Sequence, residues 1–501
     1  MEFETTESKV LCCRAAETKT AILPVEVSMI LPDYYPDVMK ILRYTAKVIS
    51  LPVGSEENGE TVSGSVQIEV NYLSEEGELS FCHQVQPYQH TFPKEGATMA
   101  AEALATVTEV GCRAVSKRRI DVHGVLNLEL RTLAAEEKSF LSAVEGNGFV
   151  SRGDVGDYTL ITGEYYKAIT FEDDGELGYG KPEIGKILRS SATASITECH
   201  VIQDKIVTKG EVNVKILWTP EQEEDKTLYT SDFHFPLSRI LDAEGTDPQD
   251  ICDAFYIADF PELTPSESGT GVHVKGKIGI FARVYRKNEV RFLTDAFSTD
   301  FENKVNSGDF SVVGDPVPVE TRESIYEQME NTSGEDVVDF WVETEKTPFL
   351  NEENKIETLL KLCLFVRDEE GELTYREKEL KKTFDVPGVE RETAFYNLEA
   401  TVLSEDLRST RGGNTELSAE ILVDGTIYPV RQFRAVTDCA IDTEKTIPKK
   451  ASGLLLYYGE AGENIWEIAK THRTSYERIL SENDLSDTVL SERKMLVIPR
   501  E

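Results

Sequence analysis

Eight residues of this 501-residue chain return at one fixed offset, and that recurrence constrains the fold more than any other feature. Pro36, Lys40, Ile41, Leu42, Arg43, Ala46, Gly64 and Val66 reappear as Pro182, Lys186, Ile187, Leu188, Arg189, Ala192, Gly210 and Val212, each about 146 positions on. Recurrence at a single offset marks tandem copies of one supersecondary unit. A third, more divergent copy stands at about twice that spacing. There, Glu75-Glu76-Gly77-Glu78-Leu79-Ser80-Phe81 returns as Glu369-Glu370-Gly371-Glu372-Leu373-Thr374-Tyr375, and Ala105-Thr106-Val107 as Ala400-Thr401-Val402. Its front half, near Val337 to Val342, has lost the Pro and Ile-Leu signals.

Each copy carries the same alternation. Val66, Ile68, Val70 and Tyr72 are apolar at every second position, as are Val212, Val214, Ile216 and Trp218, and Leu360, Leu362, Leu364 and Val366. A period of two predicts a half-buried strand. The acidic segments that follow, such as Ser74 to Glu78 and Asp368 to Glu372, predict hairpin turns. A later alternating stretch closes each unit: Leu126, Leu128 and Leu130, then Ile278, Ile280, Ala282 and Val284, then Ile421 and Val423. The chain is therefore expected to be mostly β, with three tandem antiparallel β-sandwich-like repeat domains at residues 1–150, 151–300 and 301–441. Pro36 to Tyr44 and Pro182 to Ser190 are each expected to form one short helix, with Pro in the first turn.

The formal charge of −38 argues against nucleic acid and anionic lipid as partners, because both would be repelled. Residues 450–501 hold 7 Lys and Arg against 9 Asp and Glu, so about −36 falls on the first 449 residues. Met1 to Lys19 is charged and polar apart from Val10-Leu11-Cys12-Cys13, unlike an export signal, and no apolar run reaches the length of a bilayer span. The expected location is the cytoplasm. Cys12, Cys13, Cys82, Cys112, Cys199, Cys252, Cys363 and Cys439 are scattered without a Cys-x-x-Cys pair, the pattern of reduced, buried thiols.

Catalytic signatures are sparse. Gly178-Tyr179-Gly180 lacks the third glycine of a dinucleotide site, and neither a phosphate-binding loop nor a Gly-x-Ser-x-Gly elbow occurs. Cys82-His83 and Cys199-His200 are adjacent pairs, but neighbours on a strand point to opposite faces and cannot readily grip one ion. No catalytic residue, cofactor or metal is assigned.

The C-terminal segment reads β-α-α-β, at residues 453–501, after a polar linker at 442–452 that would let it swing. Leu454 to Tyr458 and Met495 to Ile498 are the strands. Asn464 is placed to cap the first helix with Glu467 reaching back, and Thr474 with Glu477 repeats the arrangement for the second. Asn483-Asp484-Leu485 reads as the second helix's end, with Asn tolerating a left-handed backbone. Gly462-Glu463-Asn464-Ile465-Trp466, the Asn483-Asp484-Leu485 loop and the closing Leu496-Val497-Ile498-Pro499 strand resemble a LysM module. That resemblance implies a shallow groove for N-acetylglucosamine-containing glycan between loops 461–465 and 482–485, so Gly462, Glu463, Asn464, Ile465, Asn483, Asp484 and Leu485 are the candidate binding residues. The chain departs from the family where Gly-Asp-Thr is usual, and Glu492-Arg493 stands in place of a Pro-Gly turn. Trp466 is expected in the module's small core.

Leu31-Pro32-Asp33 through Pro36-Asp37-Val38-Met39-Lys40-Ile41-Leu42, the matching Lys181-Pro182-Glu183-Ile184-Gly185-Lys186-Ile187-Leu188, and the terminal module together resemble SPOCS-domain proteins of spore-forming bacteria, the family of the SipL-type coat morphogenesis factor. The resemblance implies a mother-cell protein at the forespore surface that binds the coat basement-layer ATPase (stage IV sporulation protein A). The expected function is thus a non-enzymatic scaffold of spore coat assembly. The alternative is peptidoglycan binding through the LysM groove. A third reading is a wall-active hydrolase with an unrecognised catalytic fold among the repeats, although carboxylates are so abundant that a glycosidase-like pair drawn from the sequence is uninformative; a deep cleft with converging ionisable groups is not expected.

Overall fold

The computed structural model describes residues 4–56, 59–94, 96–146, 148–221, 227–329, 335–345, 347–386, 393–409, 415–448 and 454–499. The body is entirely β. Its first seven strands are β1 (Glu4–Ile30), β2 (Val38–Ser50), β3 (Gly54–Glu56), β4 (Gly59–Ser74), β5 (Leu79–Pro93), β6 (Ala97–Ser116) and β7 (Arg119–Glu145). Next come β8 (Phe149–Glu176), β9 (Ile184–Ile202), β10 (Lys205–Pro220), β11 (Tyr229–Asp242), β12 (Ile251–Pro265) and β13 (Gly271–Ser298). The third set is β14 (Phe301–Val313), β15 (Val317–Met329), β16 (Asp336–Thr344), β17 (Phe349–Leu350), β18 (Ile356–Arg367), β19 (Leu373–Phe384), β20 (Thr393–Ser409) and β21 (Thr415–Thr446). All pairing is antiparallel. Each set makes two facing sheets: β1-β7-β6 over β2-β4-β5, β12-β13-β8 over β11-β10-β9, and β15-β21-β20 over β16-β18-β19.

The predicted alternation is what fills the sandwiches. Val66, Ile68, Val70 and Tyr72, with Val212, Val214, Ile216 and Trp218 and then Leu360, Leu362, Leu364 and Val366, are all buried. They face Leu126, Leu128 and Leu130, Ile278, Ile280, Ala282 and Val284, and Ile421 and Val423 of the opposite sheets. Each fully buried side chain of this kind contributes roughly 1.5–3 kcal/mol. The turns match too. Ser74 N donates to Glu78 O and Asp368 N to Glu372 O, with Gly77 and Gly371 supplying φ of 78° and 83°. Only glycine adopts that backbone at little cost.

The two expected helices are not formed. Residues 38–50 and 184–202 are strands, pairing with β4 and β10. Pro36 and Pro182, which suggested first helical turns, precede strands instead, and each strand is bulged: Leu42 and Leu188 are the extra residues, so Ile41 and Ile187 face the sandwich cores while Leu42 and Leu188 turn to the junction between units. Val338 is the same bulge in the third copy. Register then aligns Arg43, opposite Asn71, with Arg189, opposite Leu217, and with Asp339, opposite Phe365.

The units close into a ring in which each touches both others. Asn71 Nδ2 donates to Leu188 O at 3.4 Å and Lys186 Nζ to Ser80 Oγ at 2.8 Å. Lys40 Nζ reaches Glu372 at 2.8 Å, and Lys215 Nζ reaches Glu405 at 2.6 Å. One apolar junction gathers Leu73 and Leu79, Leu188 and Leu217, and Trp341 and Phe365. At the other end, strands longer than the sandwiches continue as three ribbons, β1 with β7, β8 with β13 and β14 with β21. Phe140, Phe292 and Phe433, at corresponding positions of β7, β13 and β21, meet there: Phe433 lies 5.9 Å from Phe140 and 4.5 Å from Phe292. Val10 and Cys12, from the apolar patch near the N-terminus, are buried in the same cluster.

Cys199 and Cys252 are joined by a disulfide, which corrects the expectation of eight reduced thiols. They lie on β9 and β12, neighbouring edge strands of facing sheets, with Cα atoms 6.8 Å apart. That proximity is invisible in a separation of 53 residues. Cys82 is buried and Cys112 half-buried. No helix among the described residues is long and apolar enough to cross a membrane.

Candidate functional site

The C-terminal module forms as read, with β22 (Leu454–Gly459), α1 (Ile465–His472), α2 (Tyr476–Glu482) and β23 (Lys494–Pro499). Its core is Ile465, Trp466, Ile468, Ala469, Ile479, Leu490, Leu496 and Ile498. Asn464 caps α1, its Oδ1 accepting from Trp466 N at 2.9 Å. The cap of α2 is Ser475, not Thr474: its Oγ accepts from Arg478 N, while Thr474 is buried with its hydroxyl unpartnered. The left-handed residue after α2 is Asp484 (φ 49°), while Asn483 has φ −113°.

These contacts sort the seven candidate residues. The Ile465 side chain is in the core. Asn464 is committed to its cap. Asn483 is fully engaged: Nδ2 donates to Ile479 O at 2.7 Å and Val497 O at 2.8 Å, and Oδ1 accepts from Val497 N at 2.6 Å. Glu463 accepts from Tyr457 OH and from Glu460 N. Gly462 and Asp484 are exposed and Leu485 is half-buried, so with exposed Glu482 the surface these loops offer is mostly backbone and carboxylate. A second surface was not foreseen: Leu456 and Tyr458 of β22 and Met495 of β23 are exposed on one face of the hairpin, and Val489, bridged to Asn464, is also exposed. Its signal was present in the unbroken apolar run Leu454 to Tyr458, where a one-sided strand would alternate.

The module is fastened to the ribbon tips. Asp295 Oδ2 accepts from Trp466 Nε1 at 2.9 Å and from Lys470 Nζ at 2.6 Å. Arg473 Nη1 donates to Ser298 O at 3.0 Å, and Phe297 packs edge-on against Trp466 at 5.2 Å. Asp442 to Thr446 continue β21, and Ile447 N donates to Asp300 O at 2.8 Å. Residues 449–452 of the expected linker lie outside the described residues. The packing thus holds the module in place where a swinging attachment was expected.

A cleft with converging ionisable groups does exist, contrary to expectation. A cavity of about 1220 Å³ lies where the three units meet, lined along β2, β6, β9, β12, β16 and β20. Arg43 and Arg189 stack on Trp341 with their guanidinium carbons 5.2 and 4.2 Å from its ring centre. Arg189 Nε donates to Asp339 Oδ2 at 2.7 Å, and Arg43 pairs with Glu343. Burial pushes Glu102 up to about 7, against the pull of Arg283 and Arg131. Burial, with the carboxylates of Asp424, Asp253 and Glu102, pushes Glu399 up to about 8, and burial lifts Asp424 to about 6. Among the described residues, no three His, Cys, Asp or Glu side chains are grouped to hold a metal ion.

Register explains why neighbouring carboxylates add to burial in raising Glu399. Glu102 lies opposite Arg131 on β7, and Asp253 opposite Arg283 on β13. The corresponding partner of Glu399 on β21 is Asp424. The third copy has exchanged an arginine for an acid here, just as it has Asp339 in place of Arg43 and Arg189.

Two family models match parts of the chain. Residues 183–259, running from the start of β9 through β10 and β11 into β12, match the family described as "SipL, SPOCS domain". Residues 460–499 match the LysM domain. No curated protein and no solved structure matches the chain. Both matched families are binding domains without catalytic machinery of their own, and together they fit a sporulation-related protein with a peptidoglycan-binding type of module. The chain therefore carries a SPOCS domain of the SipL type in its β body and a LysM domain at its C-terminal end.

Proposed function

We propose that this chain is a non-enzymatic scaffold of spore envelope assembly, built from three β units dividing near residues 150 and 300, whose body and LysM module together hold a coat morphogenetic protein, the basement-layer ATPase being the candidate partner. The observation that supports this reading best is the attachment of the LysM module through Asp295, Phe297 and Ser298. A docked module presents its exposed Leu456, Tyr458, Met495 and Val489 at a fixed place on a large acidic body, as a bivalent protein-binding surface requires. The acidic body suits a partner with a basic surface. Co-purification from sporulating cells tests the proposal: the wild type should bring down the coat ATPase, and Tyr458→Asp with Met495→Asp should lose it. Recovery of no coat component by the wild type would overturn it.

The second reading is glycan binding by the module. It draws support from the exposed backbone at Gly462 and Asp484. Sedimentation of the chain with purified cell wall, reduced by Gly462→Arg, is its expected outcome.

A further inference from the structure

Six sheet edges turn toward the central cavity. β2 and β6, β9 and β12, and β16 and β20 are the edge strands of their sheets, two from each unit. Every second N–H and C=O of an edge strand points away from its own sheet. Among the described residues, no backbone hydrogen bond joins one of these strands to another unit. Long unpaired edges are a hazard that proteins usually blunt with Pro, bulges or lysines. Bulges interrupt β2, β9 and β16, yet the lining still carries runs of small side chains that leave the backbone open: Ala103, Ala105 and Thr106 on β6, and Ser191, Ala192 and Thr193 on β9. The space left open by them exceeds any packing void.

The buried polar groups around this space are incompletely paired. Arg189, which is 4% exposed, gives Nε to Asp339 but leaves Nη2 without a hydrogen-bond partner. Arg283, 2% exposed, gives Nε to Glu164 and leaves Nη1 free, and Glu102 Oε2 is likewise unpartnered. Glu399 adds a charge requirement, since the arginine that faces its counterparts in the first two units is Asp424 in the third.

We propose that the cavity binds an extended segment of a partner protein that adds strand pairing to the inward edges and places a Lys or Arg side chain beside Glu399. A peptide backbone supplies a donor and an acceptor at each residue, which a small polyol or a file of water matches less completely. The incoming cation fills the place of the missing arginine. This site deepens the scaffold reading by naming what the β body recognises, but it does not depend on where in the cell the chain acts.

The test is fluorescence polarisation of the full chain with a labelled twelve-residue peptide alternating Thr and Lys. Saturable binding is expected, weakened about tenfold or more by N-methylation of alternate backbone nitrogens and by exchange of Lys for Glu. Asp424→Arg, which supplies the cation internally, should remove the preference for Lys. Hydrogen exchange of the wild type should show protection on β6 and β9 upon binding, a readout that survives if a variant fails to fold. Absence of saturable binding, or binding indifferent to N-methylation, overturns the proposal. Intact peptide binding with no coat component recovered from cells would instead sink the scaffold function and leave the site standing.

Discussion

Arg189 and Asp339 form a buried ion pair of 2.7 Å although register places them at the same position in two copies of one repeat. Three identical copies closed into a ring would have brought three arginines together beside Trp341. Divergence of the third copy at Asp339 turns that repulsion into a pair. Removing one partner of a buried pair leaves an uncompensated charge, typically costing about 3–5 kcal/mol. Asp339→Ala is therefore expected to lower stability to urea by about that amount, and Asp339→Arg by more. The swap of Arg189→Asp with Asp339→Arg should recover a substantial part. Equal damage from the swap and from Asp339→Arg would show that the pair is not what holds the ring.

Protonation of the cavity carboxylates sets a second expectation. Glu102, Glu399 and Asp424 have folded values of about 7, 8 and 6, against ordinary values of 4.5, 4.5 and 3.8. A carboxyl raised on folding contributes stability that is fully present below its ordinary value and is lost as pH rises through its folded value. Stability should thus decline between about pH 4 and pH 8. Asp250, held low by Arg286, acts only at the acid end and does not oppose this trend. Asp424→Arg should flatten the decline and stabilise the chain at pH 8 by about 1–3 kcal/mol, the cost of one poorly matched buried polar group. Urea unfolding across this range checks both, and a steeper decline in the variant would contradict the reading.

What could be read in advance follows from what period-two patterning encodes. Alternation reports one buried face, so Val66 to Tyr72 and their counterparts identified the sandwiches. It says nothing of a strand whose second face is covered by another unit. Asn71, Leu217 and Phe365 sit on that second face, and two of them are apolar at positions that should have been solvated. Pro36 and Pro182 suit the first turn of a helix but equally precede an edge strand, and only the pairing of residues 38–50 and 184–202 tells which. In the LysM module, the motif residues Asn464 and Asn483 turned out to be clamps of the fold. Family motifs mark residues that the fold needs as readily as those a ligand touches.

Asn483 makes that distinction testable. Its three hydrogen bonds join the end of α2 to β23. Asn483→Ala leaves Val497 N and two carbonyls without this partner, and is expected to destabilise the LysM module by about 2–4 kcal/mol. The body should be untouched. Hydrogen exchange resolved by segment would report faster exchange in residues 454–499 alone, and spread of the effect to β8 or β13 would contradict a local clamp.

The disulfide yields a simple chemical prediction. Cys199 and Cys252 tie the neighbouring edges β9 and β12 of the second unit. Intact mass after alkylation without reductant should show at most six modified thiols, rising to eight after reduction and unfolding. Cys199→Ser with Cys252→Ser should loosen this edge and lower stability by about 2–4 kcal/mol. Eight alkylated cysteines in unreduced, unfolded protein would establish the thiols as free.

Asp295 governs how the LysM module sits. Its carboxylate takes both the Trp466 indole N–H and the Lys470 ammonium, and the neighbouring Phe297 is fully buried against Trp466. Asp295→Ala removes the shared acceptor and leaves a half-buried ammonium unpaired, while the apolar contact at Phe297 persists. The module should remain folded on its own capped helices but separate from the ribbon tips more often, so that protease cuts between residues 447 and 454 sooner. Deleting residues 450–501 uncovers Phe297, which is expected to leave the sandwiches intact by circular dichroism while promoting self-association. Phe297→Ser in that truncation should suppress the association. Global unfolding of the truncation would mean that the module helps fold the body, and unchanged cleavage in Asp295→Ala would mean that Phe297 alone holds it.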